Sequence, residues 1–251
     1  MSDQTTYPPS LFPILDRPAS AALLARVVET ARAAAPRAIV AFDLDSTVLD
    51  NRPRQARVLR EYGALHRLDQ LAASQADDWQ GWDARIAMSA TGLPRDLIDA
   101  HIGPFRAFWR ERFFTSQYCV EDRPIPGAPA YVAAVLAAGA RVFYVTGRPE
   151  EMRSGTLICF ARTGFPRPDG RAVELVMKPV VEEHDDLYKA RTYAVLRDRG
   201  RVVAAFDNEP AHINGYRDAF PDATSIHLAT DHSMRDIPLA AGIQSIRDFL
   251  S

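Results

Sequence analysis

Short apolar runs alternate with helical patterns along most of the chain. The run "AIVAFD" (38–43) is continuously apolar, which is typical of a central parallel strand that is buried on both faces. Similar runs recur at 141–147, 173–179, 201–207 and 224–230. Because helical patterns lie between these runs, the sequence predicts an α/β fold with a doubly wound, Rossmann-like parallel sheet.

Residues 51–122 interrupt this alternation. They are helical in pattern, contain no strand-like run and hold all three tryptophans of the chain. We therefore predict an inserted helical cap at 51–122, with the Rossmann-like core formed by residues 1–50 and 123–251. The first helix of the core is predicted to begin at Ser20, which is a suitable N-cap residue.

Composition and charge exclude several classes of protein. The 251 residues carry a formal net charge of -2, which gives no overall attraction to nucleic acid or to an anionic membrane. No segment offers the ~18 consecutive apolar residues of a membrane span, and the N-terminus lacks the pattern of a signal peptide. Cys119 and Cys159 are too few for a disulfide framework. We expect a cytoplasmic, non-membrane protein, and the oligomeric state stays open.

Two aspartates follow the first predicted strand, in "AFDLDSTVLD". Since side chains alternate across a strand, Asp43 and Asp45 leave from the same face and converge at the carboxyl edge of the sheet. Two like charges a few ångströms apart are costly unless a cation lies between them or one of them is protonated. A hard divalent cation such as Mg²⁺, which takes oxygen ligands, meets this requirement.

Polar residues also follow two later strands. "VTGR" places the hydroxyl of Thr146 and the backbone N–H of Gly147 at the same edge, and both groups suit phosphate oxygens. "AFDNEP" places Asp207, with Asn208 after it, beside the first pair of carboxylates. Ligands of open α/β sheets bind at this edge, where the strand order reverses. This set of residues predicts phosphoryl transfer through an aspartyl intermediate.

Of the 30 Lys and Arg residues, only Lys178 and Lys189 are lysines, and both lie between the Thr146 motif and Asp207. An ammonium group beside a nucleophilic carboxylate stabilises the transition state of phosphoryl transfer. Lys178 directly follows a predicted strand, whereas Lys189 lies in the first turn of a helix that we expect an aspartate at 185 or 186 to cap. Either lysine could serve. We favour Lys189, because the helix dipole disfavours a lysine in a first turn and its presence there needs a reason.

These motifs resemble those of the haloacid dehalogenase-like hydrolases, most of which are Mg²⁺-dependent phosphatases. The resemblance rests on "DLDST" (43–47), "VTGR" (145–148), a lysine within 178–189 and "DNEP" (207–210). It covers residues 36–50 and 123–251, which form most of the predicted core. The segment 51–122 lies where this superfamily inserts a helical cap.

The resemblance implies catalytic and metal-binding roles. Asp43 is expected to be the nucleophile, and Asp45 the general acid for the leaving oxygen and then the general base for the attacking water. Asp43, Asp207 and the backbone carbonyl of Asp45 are expected to hold Mg²⁺, with Asn208 as a further candidate ligand. Dehalogenases of the superfamily lack the acid at the position of Asp45, so this residue favours phosphate chemistry.

The resemblance also implies substrate contacts. Thr146 is expected to fix a phosphate oxygen, and we assign Gly147, Arg148 and Lys178 to substrate binding with it. In family members, a lysine at the start of the corresponding helix precedes the last acidic motif by a similar number of residues. This spacing again favours Lys189 as the catalytic lysine.

The cap is expected to shape the pocket for the rest of the substrate. Its candidates for stacking on a ring or binding a second anion are Trp79, Trp82, Trp109, Arg106 and Arg110. Tryptophans of a small helical unit more often belong to its core. We expect a small phosphorylated metabolite or nucleotide as substrate. A polynucleotide 3′-phosphate is a less favoured alternative, because the acidic and basic residues of the cap balance.

A signalling receiver domain is the rival from another functional class. It too combines an acidic metal site, a phosphorylated aspartate, a threonine and a lysine on a parallel sheet. It predicts a different order along the chain, with the acidic pair before the acceptor aspartate, and it leaves the helical insertion unexplained. An inactive binding module is disfavoured by the complete set of Asp43, Asp45, Thr146 and Asp207.

Overall fold

A six-stranded parallel sheet forms the centre of the computed structural model, which describes residues 12–250. Side by side, its strands are β5 (Val173–Lys178), β4 (Arg141–Pro149), β1 (Ala38–Phe42), β6 (Arg201–Asp207), β7 (Thr224–Leu228) and β8 (Gln244–Ile246). The chain builds outward from β1 through β4 to β5 and then returns to β6, on the other side of β1. The strand order therefore reverses between β1 and β6, where ligands of such sheets bind. The predicted α/β fold class is confirmed.

Helices cover both faces of the sheet. They are α1 (Arg17–Ala33), α6 (Ala128–Ala137), α7 (Arg153–Thr163), α8 (Asp185–Arg199) and α9 (Pro210–Ala219). Val40 and Phe42 of β1 pack with α1, α6 and α7, whereas Ile39 and Ala41 pack with α8 and α9. All five residues of β1 are buried, which explains why its run is apolar at every position.

The first helix begins earlier than predicted. Asp16 is its N-cap, and the Asp16 carboxylate accepts a hydrogen bond of 2.8 Å from the backbone N–H of Ala19. The prediction of Ser20 as the cap was wrong, because Asp16 and Pro18 together form a stronger start signal one turn earlier.

The segment between β1 and β4 contains the helices α2 (Arg52–His66), α3 (Asp69–Ala72), α4 (Ala84–Ala90) and α5 (Arg95–Phe113). It starts and ends in a short antiparallel ladder formed by β2 (Leu49–Asp50) and β3 (Arg123–Pro124). These helices have a hydrophobic cluster of their own, which includes Trp79, Phe105 and Tyr118. We refer to residues 51–122 as the cap. Within residues 12–250, no helix has the length and apolar character needed to span a membrane.

His227 joins the last two strands of the sheet to the loop after β6. Its ring is fully buried; Nε2 lies 3.0 Å from the carbonyl oxygen of Asn208, and Nδ1 lies 3.0 Å from the hydroxyl of Ser245 in β8. Since the carbonyl can only accept, Nε2 carries the proton and Nδ1 accepts from Ser245. Burial lowers the pKa of His227 from 6.5 to about 4, although the bond to Asn208 opposes the shift.

This histidine makes stability depend on pH. Because its pKa is lower in the folded than in the unfolded chain, the unfolded chain binds the extra proton between about pH 6.5 and pH 4. The contribution of neutral His227 is complete above pH 6.5 and is lost as the pH falls to about 4, by up to about 3 kcal/mol. Urea unfolding of the wild type and of His227→Gln should therefore show a shallower pH dependence for the variant. Parallel curves for the two proteins would contradict this assignment.

Candidate active site

The ammonium group of Lys189 joins the carboxyl ends of three neighbouring strands. Its Nζ donates hydrogen bonds to Asp43 Oδ1 (2.7 Å), to Asp207 Oδ2 (2.9 Å) and to the carbonyl of Val145 (2.8 Å). Asp43 follows β1, Asp207 ends β6 and Val145 lies in β4. The lysine is 1% exposed, and its three protons have three acceptors.

Helix α8 supplies this lysine from its fifth residue, one position beyond the first turn. Side chains of a helix tilt toward its N-terminus, so Lys189 reaches back to the sheet edge. The N-cap residue of α8 is His184, whose Nδ1 accepts a hydrogen bond of 3.3 Å from the backbone N–H of Asp186. The prediction of an aspartate as N-cap residue was wrong, because Asp185 and Asp186 instead bind cations through their side chains.

Burial and Lys189 set the ionisation of the two carboxylates. Burial raises the pKa of Asp43 to about 7; Lys189 opposes this shift, and Asp207 adds to it. Burial also acts on Asp207, but Lys189 and His212 outweigh it and hold the pKa of Asp207 well below its usual range. Asp43 is therefore the more basic carboxylate of the pair.

Lys178 takes a different position. Its Nζ donates to Asp185 Oδ1 at 2.6 Å and to the carbonyl of Glu183 at 3.0 Å, so it fixes the loop that leads into α8. Of the two lysines, Lys189 is the one that contacts Asp43. The assignment of Lys178 to substrate binding stays a prediction.

Asp45 lies between two arginines. Arg148 binds it through two hydrogen bonds of 2.7 Å, from Nε to Oδ2 and from Nη2 to Oδ1. Arg54 of α2 adds a bond of 2.5 Å from Nη2, and Asn51 adds one of 3.0 Å. Burial alone would raise the pKa of Asp45, but Arg148 and Arg54 outweigh it and hold this pKa far below its usual range.

Asp122 completes this charge cluster. It pairs with Arg148 Nη2 at 2.6 Å and with Arg54 Nε at 3.0 Å, and its side chain is fully buried. Two arginines and two aspartates thus join the cap to the core. We call this group the four-residue cluster (Asp45, Arg54, Asp122 and Arg148). Arg148 also binds Thr156 through Nη1, so all three nitrogens of its guanidinium are hydrogen-bonded within the protein.

The remaining predicted residues line the same edge. Thr146 Oγ1 accepts from the backbone N–H of Arg148 at 3.1 Å. A side chain at Gly147 would place its Cβ 3.0 Å from Asp185 Oδ1, so a glycine keeps this approach open. The side chain of Asn208 accepts from Thr47 at 3.0 Å and donates to the carbonyl of Asp231 at 2.7 Å.

Sequence reasoning missed several residues of the site. The hydroxyl of Thr47 lies 3.2 Å from Asp43 Oδ2 and also contacts Asn208, although it belongs to the quoted "DLDST" motif. His212 lies 3.6 Å from Asp207 and 2.9 Å from Asp186. Arg54 and Asp122 of the four-residue cluster carry no local signal that distinguishes them from surface charges.

A cavity of about 210 Å³ opens in front of Asp43. Its floor includes Asp43, Asp45, Gly147, Lys189 and Asn208. Most of the remaining surface is apolar and comes from Trp82, Phe113, Phe114 and Met152. The polar residues Asp185, Glu209, His212 and Ser233 also line the cavity.

The charges around Lys189 suit a small divalent cation. Lys189 carries one positive charge against the two buried carboxylates that it contacts, and the donors nearby are oxygens. Residues 12–250 contain no group of three or more His, Cys, Asp or Glu side chains arranged to bind a metal ion. Mg²⁺ often takes only one or two carboxylates and completes its shell with other oxygens, so the residues present fit it.

Comparison with known proteins gives one relative among curated sequences that is similar over about half of the chain. N-acetylmuramic acid 6-phosphate phosphatase from Pseudomonas aeruginosa is 28% identical over 143 residues, which cover 52% of this chain. The match covers 62% of the relative, so the chain spans less than two thirds of that protein's length. No family model matches the chain.

A solved structure with a TM-score above 0.5 shares the fold. Protein tyrosine kinase A from Mycobacterium tuberculosis superimposes with a TM-score of 0.51 at 16% identity, over 84% of this chain and 93% of that chain. CbbY from Rhodobacter sphaeroides in complex with phosphate gives a TM-score of 0.49 at 16% identity, over 85% and 94%. The fold is a Rossmann-like α/β core with a cluster of polar residues at the carboxyl edge of its sheet. The predicted resemblance to the haloacid dehalogenase-like hydrolases is confirmed.

The four-residue cluster should be important for stability. Arg54→Met leaves two buried aspartates with one arginine, which should cost about 3 to 5 kcal/mol of unfolding free energy. Arg57→Met is the matched control on the same helix, because Arg57 makes partly exposed pairs with Glu61 and Glu121. It should cost about 1 kcal/mol or less. Urea unfolding measures both, and equal losses would contradict the assignment.

Proposed function

We propose that the protein is a Mg²⁺-dependent phosphatase that hydrolyses a phosphomonoester through an aspartyl phosphate on Asp43. The observation that carries this proposal is the contact of Lys189 with both Asp43 and Asp207 at the floor of a cavity. The curated relative is a phosphatase by name, which supports the same reaction class.

In the first step an oxygen of Asp43 attacks phosphorus, and the bond from phosphorus to the leaving oxygen breaks. The leaving group takes up a proton and departs as an alcohol. In the second step water attacks phosphorus, the bond to Asp43 breaks and inorganic phosphate leaves. Lys189 lowers the charge repulsion between Asp43 and the incoming phosphate dianion, which is largest in the transition state.

Asp43, Asp207 and Asn208, with the backbone carbonyl of Asp45, are the groups that would hold Mg²⁺. When bound, the ion neutralises negative charge on the phosphoryl oxygens. Thr146 and the backbone N–H of Gly147 are proposed to bind those oxygens as well.

Asp45 is proposed as the acid and base of the two steps. With Arg148 and Arg54 bound to it, Asp45 is an anion at neutral pH. It must therefore withdraw from at least one arginine before it can carry a proton to the leaving oxygen. Arg54 belongs to the cap, so a shift of the cap relative to the core changes this pairing.

We propose a small phosphorylated metabolite or nucleotide as the substrate. A cavity of about 210 Å³ accommodates a small leaving group, and its largely apolar walls do not favour a polyanionic strand. The relative's name gives an amino-sugar phosphate as its substrate, which belongs to the same size class.

The test is a phosphate-release screen over sugar phosphates, nucleotides and 3′-phosphorylated oligonucleotides, with and without Mg²⁺. We expect release from at least one small substrate, and chelation of the metal should abolish it. The absence of release from every substrate would overturn the proposal. A stable phosphoprotein without turnover would instead favour a receiver function.

Matched variants locate the reaction. Asp43→Asn and Lys189→Met should each reduce turnover at least about 100-fold, since each removes a group that acts directly on the phosphoryl transfer. Lys178→Met should retain most of the activity, because Lys178 contacts Asp185 instead of Asp43. Circular dichroism checks that the variants are folded. Phosphate release that persists in Asp43→Asn would contradict the mechanism. Loss of activity in Lys178→Met but not in Lys189→Met would assign the catalytic role to Lys178.

A further inference from the structure

Asp231 is a buried acid that the proposed reaction does not use. It follows β7 in the core and is 1% exposed. Its carboxylate accepts hydrogen bonds from the backbone N–H groups of Gly81 and Trp82 in the cap. Its carbonyl accepts from the side chain of Asn208 at 2.7 Å. Asp231 therefore connects the loop beside the candidate metal ligands to one particular segment of the cap.

The cap segment that it holds has an unusual backbone. Gly81 has a φ of +67° and Trp82 has a φ of +57°, which is a rare conformation for a residue with a bulky side chain. Such a conformation persists only where the surroundings enforce it. Met234 of the same core loop packs on Gly81, since a Cβ there would lie 2.6 Å from Met234 Cγ. The core thus holds this segment through both polar and apolar contacts.

The side chain that this arrangement places is the indole of Trp82. Trp82 lines the cavity in front of Asp43, and its ring packs edge-on against Phe113 at 5.5 Å between centroids. It also lines a groove of about 630 Å³ between the cap and the core loop that contains Ser233 and Met234. Trp82 therefore borders both the cavity and the groove.

The chemistry of this wall limits the leaving group. Phe113, Phe114 and Met152 continue the apolar surface that Trp82 begins. The basic side chains of the cavity are already bound: Lys189 to Asp43 and Asp207, Arg148 within the four-residue cluster, and His212 to Asp186. The acids Asp185 and Glu209, which also line the cavity, are bound to Lys178 and to Ser233. A charged leaving group would have to compete with these partners, whereas a flat, uncharged ring would be desolvated against the aromatic surface.

We propose that Asp231 is a positioning residue that holds Trp82 over the candidate active site, where Trp82 forms the wall for an uncharged ring in the leaving group. This inference rests on the proposed function for its kinetic test. It names the class of substrate as a phosphomonoester of a small, uncharged ring compound.

The kinetic test compares phenyl phosphate, which has an uncharged ring, with O-phosphoserine, which is acyclic and charged. The wild type should prefer phenyl phosphate in kcat/KM. Trp82→Ala and Asp231→Leu should each raise KM for phenyl phosphate about tenfold, as expected for the loss of an ordered aromatic contact. Both should change KM for O-phosphoserine far less. Asp231→Asn keeps an acceptor for the backbone N–H groups and should stay close to the wild type.

A conformational readout separates positioning from a general loss of structure. Asp231→Leu should accelerate hydrogen exchange in residues 80–83 while helix α5 keeps its protection. Asp83→Asn is the control within the same segment, because Asp83 caps α4 and asparagine caps equally well. Unchanged exchange at 80–83, equal effects on both substrates or a preference for O-phosphoserine would each overturn the inference.

Binding keeps the inference testable without turnover. Calorimetry of phenyl phosphate with Asp43→Asn, and with the Asp43→Asn/Trp82→Ala double variant, should show about tenfold weaker binding to the double variant. If none of the proteins releases phosphate but this difference in binding is found, the proposed function is wrong and the inferred role of Trp82 stands. If phosphate is released but binding does not depend on Trp82, the inferred role of Trp82 is wrong and the proposed function stands.

Discussion

The site depends on one buried ammonium group. Asp43 and Asp207 lie at the ends of neighbouring strands, and both are removed from solvent, so the ammonium group of Lys189 between them offsets charges that burial disfavours. A compact ammonium can point three protons from one atom toward three acceptors on three strands. The planar fork of an arginine cannot take that arrangement, which gives a physical reason for a lysine in a chain whose other basic residues, apart from Lys178, are arginines.

Two aspartates that lie two residues apart thus have opposite environments. Asp43 faces a single ammonium shared with Asp207, and burial raises its pKa to about 7. Asp45 faces two guanidinium groups, which outweigh burial and lower its pKa. Because Arg54 comes from α2 and Arg148 from β4, the position of the cap relative to the core and the ionisation of Asp45 are physically coupled. Asp231 provides a second link between cap and core, through the backbone N–H groups of Gly81 and Trp82.

The sequence predicted those parts that follow from local patterns. Continuous apolar runs marked five of the six strands of the sheet, and the polar residues after them gave Asp43, Thr146 and Asp207. The strand β8 was missed because it has only three residues. Arg54, Asp122 and Asp231 were missed because their partners are distant in the chain, and no local pattern distinguishes a buried charge pair from an exposed one.

The most direct measurement is the position of the phosphoryl group during turnover. Brief incubation with a substrate and Mg²⁺, an acid quench and peptide mass spectrometry would locate it. The account predicts the mass of one phosphoryl group on the peptide that contains Asp43, assigned to Asp43 by fragmentation, and none in Asp43→Asn. A phosphoryl group on Asp45 or Asp207, or turnover without any modified aspartate, would contradict it.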